Sequence, residues 1–269
     1  MPAVAAGGIL TAATRGIHGG TMVRTPQGQL IGSVTARPAE LQMRFRELLQ
    51  RAAEERKPLL EQPSQLGPFL TISREVGSGG AEVARLVGLR LGWAVLDKQL
   101  VEDLARRLEL SPQMLELMDE THSNWFHETM LNLMNSRIVH QNSYLSILGK
   151  VMHLAAYEGK VIFVGRGGHL LLPRDAGLRV RVIAPRAARL ATFQAREGLN
   201  ADEAEGEFDQ LEAGRANFVR RHFRQEPDDP SQYDMVIDSV VFGIDGCVEL
   251  VCRALELRGL ISNEEGDRG

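Results

Sequence analysis

At 269 residues with 43% hydrophobic side chains, the chain can bury a full core and is too apolar to be a disordered protein. A net charge of -4 and a pI near 6.0 exclude the basic surface that nucleic acid or an acidic membrane requires, so phosphate binding must rest on locally placed arginines. Cys247 and Cys252 lie five positions apart on a helical pattern and read as buried small apolar residues in a reducing cytoplasm, and no apolar run nears the roughly 18 residues of a membrane span.

Residues 1–38 are rich in Gly, Ala and Thr, hold no acid and carry Arg15, Arg24 and Arg37; they read as a disordered leader. An amphipathic helical pattern follows within 39–62 (Leu41, Phe45, Leu48, Leu49, Ala52), closed by Pro58 and Pro63, and reads as an appendage that packs on the domain or on a partner. Over 66–260 short strands alternate with helices, the pattern of a parallel sheet covered on both faces. The strands are expected at Phe69–Ser73, Ala94–Leu96, Val161–Val164, Val180–Ala184 and Met235–Asp238. Helices are expected at Ala81–Leu91, Gln99–Leu108, through a long block from Pro112 to Glu158, and at Arg186–Glu197, Asp202–Phe223 and Ile244–Leu257; residues 261–269 read as a disordered tail. The methionines of the long block (Met114, Met118, Met130, Met134, Met152) suit core or homo-oligomer contact.

Glycines follow the first strand at once, in ISREVGSGGAEVARL. Strand, glycine turn and helix in that order build a phosphate cradle, because curled glycine backbone and a helix N-terminus turn several N–H groups toward one anion. Gly77, Ser78, Gly79, Gly80 and Ala81 form that cradle, yet a standard P-loop continues with lysine and a hydroxyl residue. Gly80 stands at the lysine position, and Ala81 or Glu82 at the hydroxyl. Arg74 at the strand end is a replacement for the missing lysine, and Lys98 is a second. Asp97 ends the second strand, where it can orient magnesium or a substrate and can equally cap a helix; Glu82 is either a metal ligand or a favourable first-turn charge.

In VIFVGRGGHLLLP a strand end presents Arg166 between glycines, at the height where open α/β sheets collect ligands, while His169 reads as structural. Arg186, Arg189 and Arg196 share a helix at spacings that let all three point one way and neutralise a transferring phosphoryl group, with Arg215, Arg220 and Arg221 on the next helix. No lysine occurs from Val161 onward, so position and not number carries weight. The histidines at 122, 127, 140, 153 and 222 are scattered without a metal-binding pattern.

Four blocks in order, ISREVGSGGAEVARLVGLRLGWAVLDKQL, VIFVGRGGHLLL, RVIAPRAARLATFQAREGLN and DDPSQYDMVIDSVVFGIDGCVELV, resemble the bacterial cytidylate kinase-like family. The resemblance implies a three-layer P-loop kinase-like fold with a helical insertion over about 110–158 and a lid. It implies phosphoryl transfer from ATP to CMP or dCMP with Mg2+ as cofactor. By the same resemblance Gly77 to Gly80 surround the donor phosphates, Arg166 touches the acceptor phosphate, Arg186, Arg189 and Arg196 belong to the closing helix, and Arg215 matches an arginine of the next one. The family usually has a basic residue where Ala81 stands. Two other readings remain at this point: a nucleotide-binding sensor without turnover, and a kinase for another small acceptor.

Overall fold

The computed structural model describes residues 66–99, 101 and 143–262, together with Val23–Arg24 and Leu30–Ile31, which pair as two short antiparallel strands. The expected appendage helix, most of the helical insertion with four of its five methionines, and His122, His127 and His140 lie outside the described residues.

Five strands form one parallel sheet: β1 (Phe69–Arg74), β2 (Ala94–Leu96), β3 (Val161–Val164), β4 (Gly177–Ile183) and β5 (Met235–Asp238), in the order β2-β3-β1-β4-β5. β1 is central and buried over its first five residues, as expected of a strand covered on both faces. β4 starts three residues before the expected Val180 because Gly177, Leu178 and Arg179 pair with Phe69, Leu70 and Thr71. Neighbouring strands therefore extended a segment whose own β-propensity begins only at its valines.

The helices whose bounds fall among the described residues are α1 (Gly80–Leu91), α2 (Ser143–Glu158), α3 (Gly168–Leu171), α4 (Arg186–Glu197), α5 (Ala201–Phe223) and α6 (Ser239–Leu257). Alternation along β1 sends Leu70 and Ile72 into a core with Val83 and Val87 of α1 and Val248, Val251, Cys252 and Leu255 of α6. On the opposite face Phe69 and Phe163 meet edge to face, with centroids 6.3 Å apart, beside Leu148 and Met152 of α2 and Phe223 of α5. Ile261, within the expected tail, packs into the first of these cores. Both cysteines are buried free thiols, and burial pushes Cys252 up to about 11. A third cluster joins Val76 to Phe193 of α4 and to Ala204 and Phe208 of α5, so these two helices rest on the segment that follows β1.

Local chemistry explains most helix ends. Asn200 caps α5 by accepting from the Glu203 amide at 3.0 Å; acids fill the first turn and Arg220, Arg221 and His222 the last, which matches the helix dipole. Asp238 accepts from the Val240 amide at 2.8 Å and starts α6 five residues before the expected Ile244. Gly243 at φ 68 kinks α6 after one turn, so the expected start coincides with its second, longer segment. Among the described residues no helix is long and apolar enough to cross a membrane.

Candidate functional site

The chain leaves β1 at Arg74 and turns tightly, with Ser78 donating both its amide and its hydroxyl to the Glu75 carbonyl at 3.4 and 3.0 Å. Gly77 lies at φ +74, and a Cβ there would stand 2.1 Å from the Arg189 carbonyl oxygen, so only glycine lets the loop lie directly on α4. Gly79, also left-handed, precedes α1, and no side chain caps that helix. The Gly79 carbonyl takes the Glu82 and Val83 amides at 2.9 and 3.0 Å. Among the described residues, the turn and cap hydrogen bonds use none of the amides of Gly79, Gly80 and Ala81, which suits an anion at this helix start.

Beside the loop, at the carboxyl ends of the strands, lies a cavity of about 710 Å³. Arg74, Lys98, Arg166, Arg181, Arg189 and Arg215 all reach its wall, whereas Gly77 to Ala81 do not line it. Arg74 is half-buried, and its Nε, shielded from solvent, has no hydrogen-bond partner. Its guanidinium lies against Gly165, where a Cβ would meet Nη1 at 2.2 Å. Burial first, then the charges of Arg215 and Arg166, push Arg74 down to about 10, with Asp97 acting in the opposite direction. Arg215 donates to the Arg74 carbonyl at 3.2 Å, and it too is lowered, chiefly by burial. Arg166 adopts φ 53 and stacks its guanidinium over Phe218, 4.8 Å from the ring centroid. The structure thus gathers three of the expected guanidinium groups, Arg74, Arg166 and Arg215, at one place.

The expected arginine row does not form. Arg189 is buried, paired with Glu75 at 3.0 Å and Glu212 at 2.9 Å, and donates to the carbonyls of Ala184 and Val76 at 2.8 and 3.1 Å. Glu75 also accepts from the Ala184 amide at 3.0 Å, and Glu212 from the Val76 amide at 2.6 Å, so Arg189 is the hub that ties the loop to α4 and α5. Arg186 faces outward to Glu205 and Asp209 at 3.0 and 2.8 Å, and Arg196 pairs with neighbouring Glu197 at 2.6 Å while exposed. The spacing on the helix is as expected; the first turns of α4 press on the loop, which buries Arg189 alone. Arg220 is exposed and bound to Glu226 at 2.8 Å.

Asp97 is exposed and precedes the helical residues Lys98 and Gln99, its carbonyl accepting from the Val101 amide at 3.1 Å. Glu82 pairs with Arg85 at 2.7 Å. Among the described residues no three metal-ligating groups cluster. A magnesium ion that arrives on phosphates needs only one or two protein carboxylates; Asp97 does not line the cavity, but its charge acts on Arg74, which does.

Two features of the cavity escaped the sequence reading. Arg181 points from β4 into the wall, pairing with Asp228 and lying over the Tyr233 ring at 5.6 Å. The alternation of RVRVI carries that signal, since it puts Arg179 and Arg181 on one face of a strand. His169 is buried as a structural histidine would be, yet it lines the cavity and bonds to Ser73 at 3.1 Å and to Gln232 at 3.3 Å. Ser73 and Arg181 are register partners on adjacent strands.

A parallel sheet in the order 2-3-1-4-5, a glycine loop between its central strand and the following helix, and a cationic cavity at the strand ends define a P-loop kinase fold. The sequence profile of the cytidylate kinase-like family matches residues 69–240, and the chain belongs to that family. Among solved structures, an uncharacterized protein from Eubacterium ventriosum is similar at TM-score 0.58 and 18% identity, covering 72% of this chain and 99% of its own. TT1252 from Thermus thermophilus matches at TM-score 0.39 and 18% identity, over 71% of this chain and 97% of its own. A shikimate kinase from Bacteroides thetaiotaomicron matches at TM-score 0.37 and 15% identity, over 70% and 98%. No curated protein sequence matches the chain.

Proposed function

We propose that this chain transfers the γ-phosphoryl group of ATP to a nucleoside monophosphate, CMP or dCMP. The observation that carries the reading is the convergence of Arg74, Arg166 and Arg215 on one cavity, with the shielded Nε of Arg74 unpartnered. Like charges gather at such a desolvated point at a cost, and a polyanion bound among them removes it.

Phosphoryl transfer asks little covalent chemistry of the protein; positioning and charge neutralisation supply most of the rate. In this reading the amides from Gly77 to Ala81 hold the donor phosphates, and Arg74 supplies the cation that Gly80 cannot. Arg166 and Arg215 bind the acceptor phosphate and keep it in line. Arg186 takes part only when its pairs with Glu205 and Asp209 open. Magnesium, when bound through Asp97 and the phosphates, adds charge neutralisation. The family membership supports a phosphotransferase, and a cytoplasmic location follows from this substrate class.

Gly80 and Ala81, where a lysine and a basic residue are usual, favour a second reading: a nucleotide-binding module without turnover. A coupled assay for ADP with the purified chain, ATP, Mg2+ and a panel of monophosphates separates the two. Release of ADP that depends on CMP or dCMP supports the kinase. Nucleotide binding without acceptor-dependent ADP supports the module, and release driven by a different acceptor refutes the assignment to CMP or dCMP.

A further inference from the structure

The arginines of the cavity explain how an anion is held, but they do not explain a polar line of side chains that runs from Ser73 through His169 to Gln232. Gln232, on the 3-10 turn Pro230–Gln232, is buried and donates its Nε2 to the Glu226 carbonyl at 2.9 Å and to Gln225 Oε1 at 3.3 Å. The Glu226 carbonyl can only accept, which fixes the amide: its Oε1 is the atom that faces His169 Nε2 at 3.3 Å. His169 Nε2 must therefore carry the proton. The imidazole is neutral, because burial pushes it down to about 4, with the nearby Arg181 charge also lowering it and the Gln232 bond opposing. Its Nδ1 is then bare and accepts, at 3.1 Å, the only proton that the Ser73 hydroxyl has to give. Tyr233 stacks on the imidazole, centroids 4.8 Å apart, and holds the ring plane.

We infer that Ser73, its own proton committed to His169, acts in the cavity as an obligate hydrogen-bond acceptor and selects acceptor substrates that present a hydroxyl or an amine at that point. The inference rests on the nucleoside monophosphate reading above and adds a specificity determinant to it. Ser73 lines the cavity next to Arg181, its register partner. A substrate group reaching this wall meets one acceptor and one fixed donor, side by side. A carbonyl turned toward Ser73 would face lone pair against lone pair, and the site would lose a hydrogen bond it has already been desolvated to make. His169 and Gln232 are positioning residues: they act by holding the direction of one O–H bond.

Two donors on a cytidine monophosphate can meet Ser73, the exocyclic amine of the base and the 2′-hydroxyl of the sugar. Titration calorimetry of CMP, UMP and dCMP with wild type and Ser73→Ala distinguishes them. UMP carries a carbonyl in place of the amine, and dCMP lacks the hydroxyl. Wild type is expected to favour CMP over one of the two by about tenfold to a hundredfold, and Ser73→Ala to bring that preference below about threefold. The analogue that wild type rejects identifies the donor. Ser73→Cys, which keeps a side chain of similar size with a weaker acceptor, gives an intermediate preference and guards against a folding defect in the alanine variant. Imidazole 15N spectra of wild type are expected to show His169 as the Nε2–H tautomer, and an Nδ1–H tautomer overturns the direction of the line. Binding with no preference in wild type, or with the same preference in Ser73→Ala, overturns this inference alone. Failure of all three monophosphates to bind overturns the kinase reading as well.

Discussion

Arg189→Ala separates a structural guanidinium from one that acts in transfer. In the fold Arg189 has a side chain only 8% exposed, and it neutralises Glu75 and Glu212, which are 20% and 30% exposed. Its loss leaves Glu212 without this pair and Glu75 with Arg181 alone at 3.7 Å, and removes the donors to two loop and turn carbonyls. Removing one partner of a fully buried ion pair costs about 3–5 kcal/mol. The partial exposure of both carboxylates lets water take up some of that, so about 3 kcal/mol is expected. For a domain of this size each kcal/mol moves the midpoint by about 2–4 °C, so thermal unfolding followed by circular dichroism should fall by roughly 10 °C. Replacing the acids together, as Arg189→Met/Glu75→Gln/Glu212→Gln, should restore part of the loss because no charge is then stranded. A variant that keeps the wild-type midpoint while turnover collapses would refute the hub and return Arg189 to the transfer chemistry.

Gly165→Ala puts a methyl 2.2 Å from Arg74 Nη1 at a backbone φ of +80. It should displace that guanidinium and weaken ATP binding by about tenfold, read by calorimetry. Arg186→Ala should leave the unfolding midpoint unchanged, since its pairs are exposed, so any loss of turnover reports its part in the closed enzyme. His153 and His169 are held by burial at about 4, below the roughly 6.5 of an unfolded histidine. The unfolded chain therefore binds their protons first, and stability is lost as pH falls from about 6.5 to about 4. Between pH 7 and pH 5 each histidine should cost about 2 kcal/mol in urea unfolding, and His153→Gln should remove one such share.

The fold was legible because the strands are short apolar runs punctuated by glycine and by helix caps; Ala94–Leu96, Val161–Val164 and Met235–Asp238 have the expected bounds. Arg74 and Arg166 were legible as candidates from their places at strand ends, whereas Arg215 was set apart from Arg220 and Arg221 only by the family resemblance. The fate of Arg189 was not legible, because the carboxylates that enclose it lie more than a hundred positions away at Glu75 and on another helix at Glu212. Helix periodicity says which residues share a face, and the loop beneath the helix decides which of them is buried. The line from Ser73 through His169 to Gln232 joins three segments by contacts that no periodicity encodes. The short helix α3 escaped because a single turn after a strand carries too few residues to show a period.

The claim on which the rest stands is that Arg74 does the work of the absent loop lysine. Steady-state turnover of ATP with CMP, for wild type and for Arg74→Gln of matched unfolding midpoint, tests it most directly. The account predicts a fall in kcat of at least about a hundredfold, with the loop amides still binding ATP within about tenfold of wild type. Equal kcat in the two proteins, or wild-type protein that releases no ADP with CMP or dCMP, would contradict it.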